Sequence, residues 1–243
     1  MDLSAIKKRL AQLQTTNNRT SSLWKPQPGK TQIRIVPYEF NRDNPFIELF
    51  FHYNLNNRSY LSPISFGRPD PIEEFAQKLR ASGNKEDYQL SRKLEAKMRT
   101  FAPVVVRGEE DKGVQLWGFG KTVYQKLLGI MLDEDYGDIT DPTTGRDIKV
   151  VCSKQPGKKW AMTEVRPRGK QSTLSDDSNQ AQNWIENIPS LDEIYQLKTY
   201  DELAKIINDW LNDDDGESEE TETGQSNTSS NSESSNSSGY KSL

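Results

Sequence analysis

The last 32 residues most constrain how this chain can fold. Residues 212–243 consist almost entirely of Asp, Glu, Ser, Thr, Asn and Gly. Such a segment cannot bury enough apolar surface to offset the entropy that is lost on ordering. We therefore predict a disordered, acidic, Ser-rich tail at 212–243 and a folded part within the preceding residues. The remaining length is sufficient for one domain with appendages.

The charges of the chain are segregated along its length. The formal net charge is −4. Residues 1–170 contain 29 basic and 20 acidic residues, a net charge of +9, whereas residues 171–243 contain 3 basic and 16 acidic residues, a net charge of −13. The overall charge therefore averages a basic portion suited to nucleic-acid phosphates and an acidic portion that is not.

The N-terminal 20 residues form a second predicted appendage. Apolar residues recur at helical spacing from Leu3 to Leu13, and the cluster Lys7, Lys8 and Arg9 lies between them. We predict a basic arm over residues 1–20.

Between these appendages, residues 21–211 show a mainly β pattern with inserted helices, an α+β class. Segments rich in β-branched and aromatic residues predict strands at 33–36, 46–53, 103–107, 114–119, 147–152 and 159–165. Capping boxes and a first-turn Pro predict helices that begin near residues 70, 190 and 199. We expect a small barrel or sandwich, with an inserted helical subdomain at about 63–100 and C-terminal helices at about 180–211.

Several classes of protein are disfavoured by residues that the chain lacks. It has one Cys, Cys152, and one His, His52, so it has no intramolecular disulfide and no Cys-rich zinc cluster. The chain contains no run of about 18 apolar residues, which is the length that would predict a membrane span. We predict a protein that is not an enzyme and uses no cofactor. A nuclease is the alternative from the enzyme class, and it would need a metal on Asp133, Asp135 and Asp138.

Basic and aromatic residues occur together at several places. The stretch 86–99 is interpreted as a helix with an apolar face and an adjacent basic arc that can meet phosphates. An ordinary solvated helix face is the alternative. The strand at 114–119 sends Trp117 and Phe119 to the same side, where they form either core or a platform on which bases stack.

Cations that follow the backbone and rings that stack on bases are the two requirements of single-strand binding. We therefore predict a protein that binds single-stranded nucleic acid, and the residues do not decide between DNA and RNA. An OB-like RNA-binding or replication-adaptor module is the alternative to a DNA-binding protein. The candidate contacts are Arg34, Tyr60, Tyr88, Arg92, Lys93, Lys97, Arg99, Phe101, Trp117, Phe119, Lys121, Tyr124, Lys158, Lys159 and Trp160.

The order of these features resembles the single-stranded DNA-binding proteins of T4-type tailed bacteriophages. The likeness is sharpest from residues 103–106 through 114–124, where a hydrophobic strand, an acidic loop, an aromatic strand and Phe-Gly-Lys follow one another. The resemblance places Trp117 at a DNA-facing aromatic position and Lys121 at a basic one. It implies an OB-fold core and cooperative binding without sequence preference during viral replication, repair and recombination, in the cytoplasm of the infected bacterium.

The resemblance also implies partners for both appendages. The cluster Lys7, Lys8 and Arg9 would contact the next copy head to tail, although Leu10 follows it where the family has Ser or Thr. The acidic tail would compete with DNA for the basic groove and recruit replication and recombination proteins.

Members of this family can hold a structural zinc with one His and three Cys. His52 stands at the position of that His, but it lacks Cys partners, because residues 70–75 replace the expected Cys pair. We expect no zinc, and we expect apolar packing of Ile72, Phe75 and Leu79 in its place.

Overall fold

The chain divides into two units that alternate along the sequence. The structure, a computed structural model, describes residues 22–38, 44–154, 157 and 161–217. The first unit, here called the sheet unit, lies within residues 1–49 and 98–196. The second, the helical unit, lies within residues 50–97 and 197–243.

Strands and helices are interspersed in the described residues. The strands are β1 (Leu23–Trp24), β2 (Gly29–Ile35), β3 (Ile47–Leu55), β4 (Arg58–Leu61), β5 (Lys97–Val106), β6 (Gln115–Phe119), β7 (Ile148–Ser153) and β8 (Met162–Pro167). The helices are α1 (Pro71–Ala81), α2 (Lys85–Leu94), α3 (Lys121–Met131), α4 (Ser178–Glu186), α5 (Leu191–Ile194) and α6 (Tyr200–Glu217), and short 3-10 turns lie at Pro63–Phe66 and Glu110–Lys112. This combination confirms the predicted α+β class.

Six strands form the mixed sheet of the sheet unit. They pair in the order β1-β6-β5-β2-β7-β8. β1 runs parallel to β6, and the other neighbours are antiparallel. The register places Ala102 of β5 opposite Trp117 of β6.

Each face of this sheet carries an apolar core. Val104 packs in one core with Trp117 and with Leu127 of α3, whereas Val105 packs in the other with Trp184 of α4. Neighbouring residues of a strand point to opposite faces. β5 is buried at every position from 100 to 106, and it is therefore covered on both sides.

The helical unit combines the β3–β4 hairpin with helices α1, α2 and α6. Helix α1 begins where the Asp70 side chain accepts the backbone N–H groups of Ile72 and Glu73, which is a standard N-cap. Its apolar residues recur at positions i, i+3, i+4 and i+7, as in an amphipathic helix. The predicted packing of Ile72, Phe75 and Leu79 is confirmed, and these residues share a core with Leu203 and Ile207 of α6.

Two predicted boundaries are wrong. The sequence predicts one helix over 86–99, but α2 ends at Leu94, because Glu95 has an extended backbone with ψ 130°. Residues from Lys97 onward instead form β5, whose pairing with β6 satisfies their backbone groups. At the other end, α6 runs to Glu217, so residues 212–217 are helical rather than part of a disordered tail. Residues 218–243 and the arm at 1–20 lie outside the described part of the chain.

No helix in the described part of the chain combines the length and the apolar character that a membrane crossing requires.

Candidate nucleic-acid interface

Two aromatic residues of β6 that were predicted to face DNA lie in the core. Trp117 is 1% exposed and Phe119 is 4% exposed. The Trp117 ring lies 5.5 Å from the Trp24 ring and 4.5 Å from the Phe119 ring, measured between centroids. Such edge-on and tilted contacts are typical of packed aromatic clusters. Of the two alternatives that the strand pattern left open, the structure supports core.

Three further candidates are buried in the sheet unit. Tyr124 packs in the same core, and its hydroxyl donates to Glu48 Oε1 at 2.6 Å. Phe101 is 0% exposed and packs against Tyr195, with ring centroids 5.6 Å apart. Arg34, also 0% exposed, donates to Ser172 and to the backbone oxygen of Asp141.

The burial of these residues contradicts their predicted roles as DNA contacts. A side chain in a packed core cannot stack on a base or reach a phosphate without leaving that core. Burial lowers the pKa of Arg34, and Asp147, whose Oδ1 lies 3.8 Å from Arg34 Nη1, opposes that shift. We therefore assign structural roles to Arg34, Phe101, Trp117, Phe119 and Tyr124.

The opposite face of the β5–β6 pair carries a partly exposed cation. Arg99 lies on the same face as Gly118, and its Nη2 donates to the Gly118 carbonyl oxygen at 2.7 Å. Phe101 pairs directly with Gly118 across the strands. The half-buried Tyr195 lies against Phe101 on this face, after the short helix α5. Tyr195 was not predicted from the sequence, although the cap at Ser190 marks a short helix that ends close to it.

Lys121 lies at the start of α3 in the sheet unit. It is the first residue of the helix, directly after Gly120, and it is exposed. The free N–H groups and positive dipole end of a helix favour anions at this location. The position is therefore compatible with the predicted phosphate contact.

The largest exposed group of candidates is on the helical unit. We call Tyr88, Arg92, Lys93 and Lys97 the cationic patch; all four are exposed. Tyr88 and Arg92 are four residues apart on α2 and therefore share one side of the helix. Tyr88 is 48% exposed, so its ring is open to solvent.

The cations of this patch form no salt bridges with other described residues. Among the described residues, the salt bridges of the helical unit involve Arg80, Lys198 and His52, and none involves Arg92, Lys93 or Lys97. Unpaired exposed cations beside an exposed ring are the arrangement that phosphates and bases require.

Tyr60 has an intermediate position. It pairs with His52 across the hairpin, is half-buried and packs against the core of the helical unit. The remaining predicted contacts, Lys158, Lys159 and Trp160, and the arm cluster Lys7, Lys8 and Arg9 lie outside the described residues.

The acidic turn at 133–138 is engaged in local hydrogen bonds. Asp133 Oδ1 accepts the Asp135 N–H at 3.0 Å, and Asp138 Oδ1 accepts the N–H and the hydroxyl of Thr140. Within the described residues, which include this turn, no group of three or more His, Cys, Asp or Glu residues could hold a metal ion. Of the three Asp residues that the nuclease alternative requires, Asp133 and Asp138 accept these local hydrogen bonds.

Exposed cations beside an exposed aromatic ring are typical of a nucleic-acid-binding protein. The family model described as gp32 DNA binding protein like matches residues 27–211. The chain belongs to this family of gp32-like DNA-binding proteins, which confirms the resemblance seen in the sequence. The family is non-catalytic. A comparison with curated proteins returned no match.

Proposed function

We propose that this protein binds single-stranded DNA cooperatively and without sequence preference, and protects it during viral replication, repair and recombination. The observation that carries the proposal is the cationic patch, which places three exposed cations close in sequence to the exposed Tyr88; none of the three forms a salt bridge with another described residue. Membership of the gp32-like family supports DNA as the ligand.

The patch supplies both parts of single-strand binding. Each phosphate that Arg92, Lys93 or Lys97 neutralises releases counterions and contributes about −0.7 to the slope of log K against log salt. A base that stacks on Tyr88 adds roughly 1–3 kcal/mol. Arg99 and Lys121 offer further phosphate contacts on the sheet unit. None of these contacts reads a base edge, so binding is expected to tolerate any sequence.

The architecture and the appendages complete the proposal. We assign the mixed sheet within residues 21–211 to an OB-fold, with the arm at 1–20 and the acidic tail beyond α6. Lys7, Lys8 and Arg9 of the arm contact the neighbouring copy on DNA. The tail competes with DNA for the basic surface and recruits replication and recombination proteins. The protein acts without a cofactor in the cytoplasm of the infected bacterial host.

The proposal is tested by titrating the full chain into fluorescently labelled oligo(dT) and following anisotropy at several salt concentrations. We expect tight binding with a steep negative salt slope, and weaker competition by duplex DNA of equal length. An RNA of equal length separates the DNA-binding function from the RNA-binding alternative. Failure to bind oligo(dT) at low salt contradicts the proposal, and stronger binding to RNA favours the alternative.

A further inference from the structure

A fully buried polar group joins three segments of the helical unit. His52 of β3 and Ser62 are 0% exposed, and Asp70 is 2% exposed. His52 Nε2 lies 2.9 Å from Asp70 Oδ2, and His52 Nδ1 lies 2.7 Å from the carbonyl oxygen of Leu94, the last residue of α2. The ring therefore connects the start of α1 to the end of α2.

Asp70 accepts hydrogen bonds from four donors. Its Oδ1 accepts the N–H groups of Ile72 at 2.9 Å and Glu73 at 3.3 Å, and its Oδ2 accepts the Ser62 hydroxyl and His52 Nε2. An ionised carboxylate has about four such acceptor positions. Because the Leu94 carbonyl can only accept, Nδ1 must donate as well. Both ring nitrogens of His52 are therefore engaged in hydrogen bonds.

This geometry does not fit the zinc that some members of the family hold. A metal needs a ring nitrogen with a free lone pair. Both nitrogens of His52 are engaged in hydrogen bonds, and its neighbours are a carboxylate, a hydroxyl and a carbonyl rather than thiolates. The one Cys of the chain, Cys152, lies on β7 of the sheet unit.

Two more contacts from α1 reach the turn at residues 94–96, where α2 ends and β5 follows. Glu73 Oε2 accepts the Ala96 N–H at 3.1 Å, and Arg80 Nη2 lies 3.1 Å from Glu95 Oε1. Together with the bond to Leu94, they hold the last residue of α2 and the two residues between α2 and β5. The cations of the patch flank this turn directly, with Arg92 and Lys93 before it and Lys97 after it.

We propose that His52 is a positioning residue for single-strand binding, which sets the cationic patch in place through the Asp70–His52–Leu94 hydrogen bonds instead of a metal ion. This inference rests on the proposed function of the patch. A fixed turn lets Arg92, Lys93 and Lys97 meet successive phosphates together without an ordering cost at binding.

Two variants of the full chain test the proposal by anisotropy with labelled oligo(dT). His52→Leu removes both donors, and we expect affinity to fall about 3- to 10-fold with a shallower salt slope, since fewer phosphates are engaged together. Asp70→Asn keeps the oxygen that accepts the backbone N–H groups at the start of α1. Its amide N–H can donate to Nε2 of a neutral His52, while Nδ1 still donates to the Leu94 carbonyl. We expect this variant to retain most of the affinity.

A double-mutant cycle separates positioning from general stability. Adding His52→Leu to Arg92→Ala/Lys93→Ala should cause little further loss of affinity, because residues that act as one unit are non-additive. Full additivity overturns the proposal. If Arg92→Ala/Lys93→Ala itself binds like the parent protein, the proposed function of the patch fails instead.

One measurement on the unmodified protein remains decisive even if His52→Leu does not fold. Prolonged incubation with EDTA should change neither the melting temperature nor the affinity for oligo(dT). A loss of stability or affinity with the chelator overturns the proposal.

Discussion

Arg99 lies across Gly118. Its Nη2 donates to the Gly118 carbonyl oxygen at 2.7 Å, and a Cβ added at position 118 would lie 2.8 Å from both Arg99 Nε and Phe101 Cε1. The glycine therefore provides the space in which the guanidinium rests on the sheet. Its role is to let a cation approach the strand, rather than to supply an unusual backbone angle.

Gly118→Ala should displace Arg99 and press on the buried Phe101 ring. We expect a loss of about 1–3 kcal/mol in the free energy of unfolding, as for other overpacked sites, together with weaker binding to oligo(dT). Urea denaturation and anisotropy measure the two effects. Gly129→Ala on α3 is the matched control, because a Cβ there meets nothing within 4 Å and alanine is the better helix former. Equal behaviour of the two variants would contradict this role of Gly118.

Trp117→Ala should act on stability. The side chain is 1% exposed and packs against Trp24 and Phe119, and truncation of a buried Trp costs about 3–5 kcal/mol. We expect a large fall in the melting temperature, measured by circular dichroism. A variant that keeps its melting temperature but loses affinity for oligo(dT) would instead restore Trp117 as a stacking residue.

Asp70 should make the stability of the protein dependent on pH in acid. Burial raises the pKa of Asp70, but hydrogen bonds from His52 and Ser62 outweigh burial and hold it below its ordinary value of 3.8. A group whose pKa is lowered by folding stabilises the folded protein at pH values above its ordinary pKa. This stabilisation is lost as the pH falls through the pKa of the folded state. The stability difference between the parent protein and Asp70→Ala should therefore shrink below about pH 4, as urea titrations at several pH values would show. A constant difference would argue against an ionised Asp70.

Removal of residues 218–243, which keeps all of α6, should raise the affinity for duplex DNA. The proposed competition is electrostatic, so the increase should be greatest at low salt and decline as salt screens the charges. Anisotropy of labelled duplex DNA with the full and shortened chains measures it. Equal affinities at low salt would exclude competition by this segment.

The sequence predicts some elements well because their signals are local. The cap at Asp70, the Pro at position 71 and the helical spacing from Ile72 to Leu79 all describe one helix, and α1 forms there. By contrast, alternation along β6 shows that Trp117 and Phe119 share a face, but not whether that face meets solvent or core. The answer depends on residues such as Trp24 and Ile148, which pack in the same core but lie far from β6 in sequence.

Long-range contacts explain the other corrections. In the sequence, Arg34 is simply the polar position between two apolar residues of a predicted strand. Its partners Asp141, Asp147 and Ser172 come from segments more than 100 residues away. The end of α2 has no Gly or Pro to mark it. It is set by contacts of residues 94–96 with His52, Glu73 and Arg80. The exposed cations Arg92 and Lys93 were found because charge and helical spacing are local properties.

The most direct test of the account compares two double variants of the helical unit, Arg92→Ala/Lys93→Ala and Lys78→Ala/Lys205→Ala. Each removes two exposed cations, so the change in net charge is the same. Oligo(dT) anisotropy over a range of salt concentrations should show weaker binding for the first variant, with a salt slope that is smaller by about 1.4. The second variant should bind almost like the parent protein. Equal affinities and slopes for the two variants would contradict the assignment of the cationic patch as the DNA-binding surface.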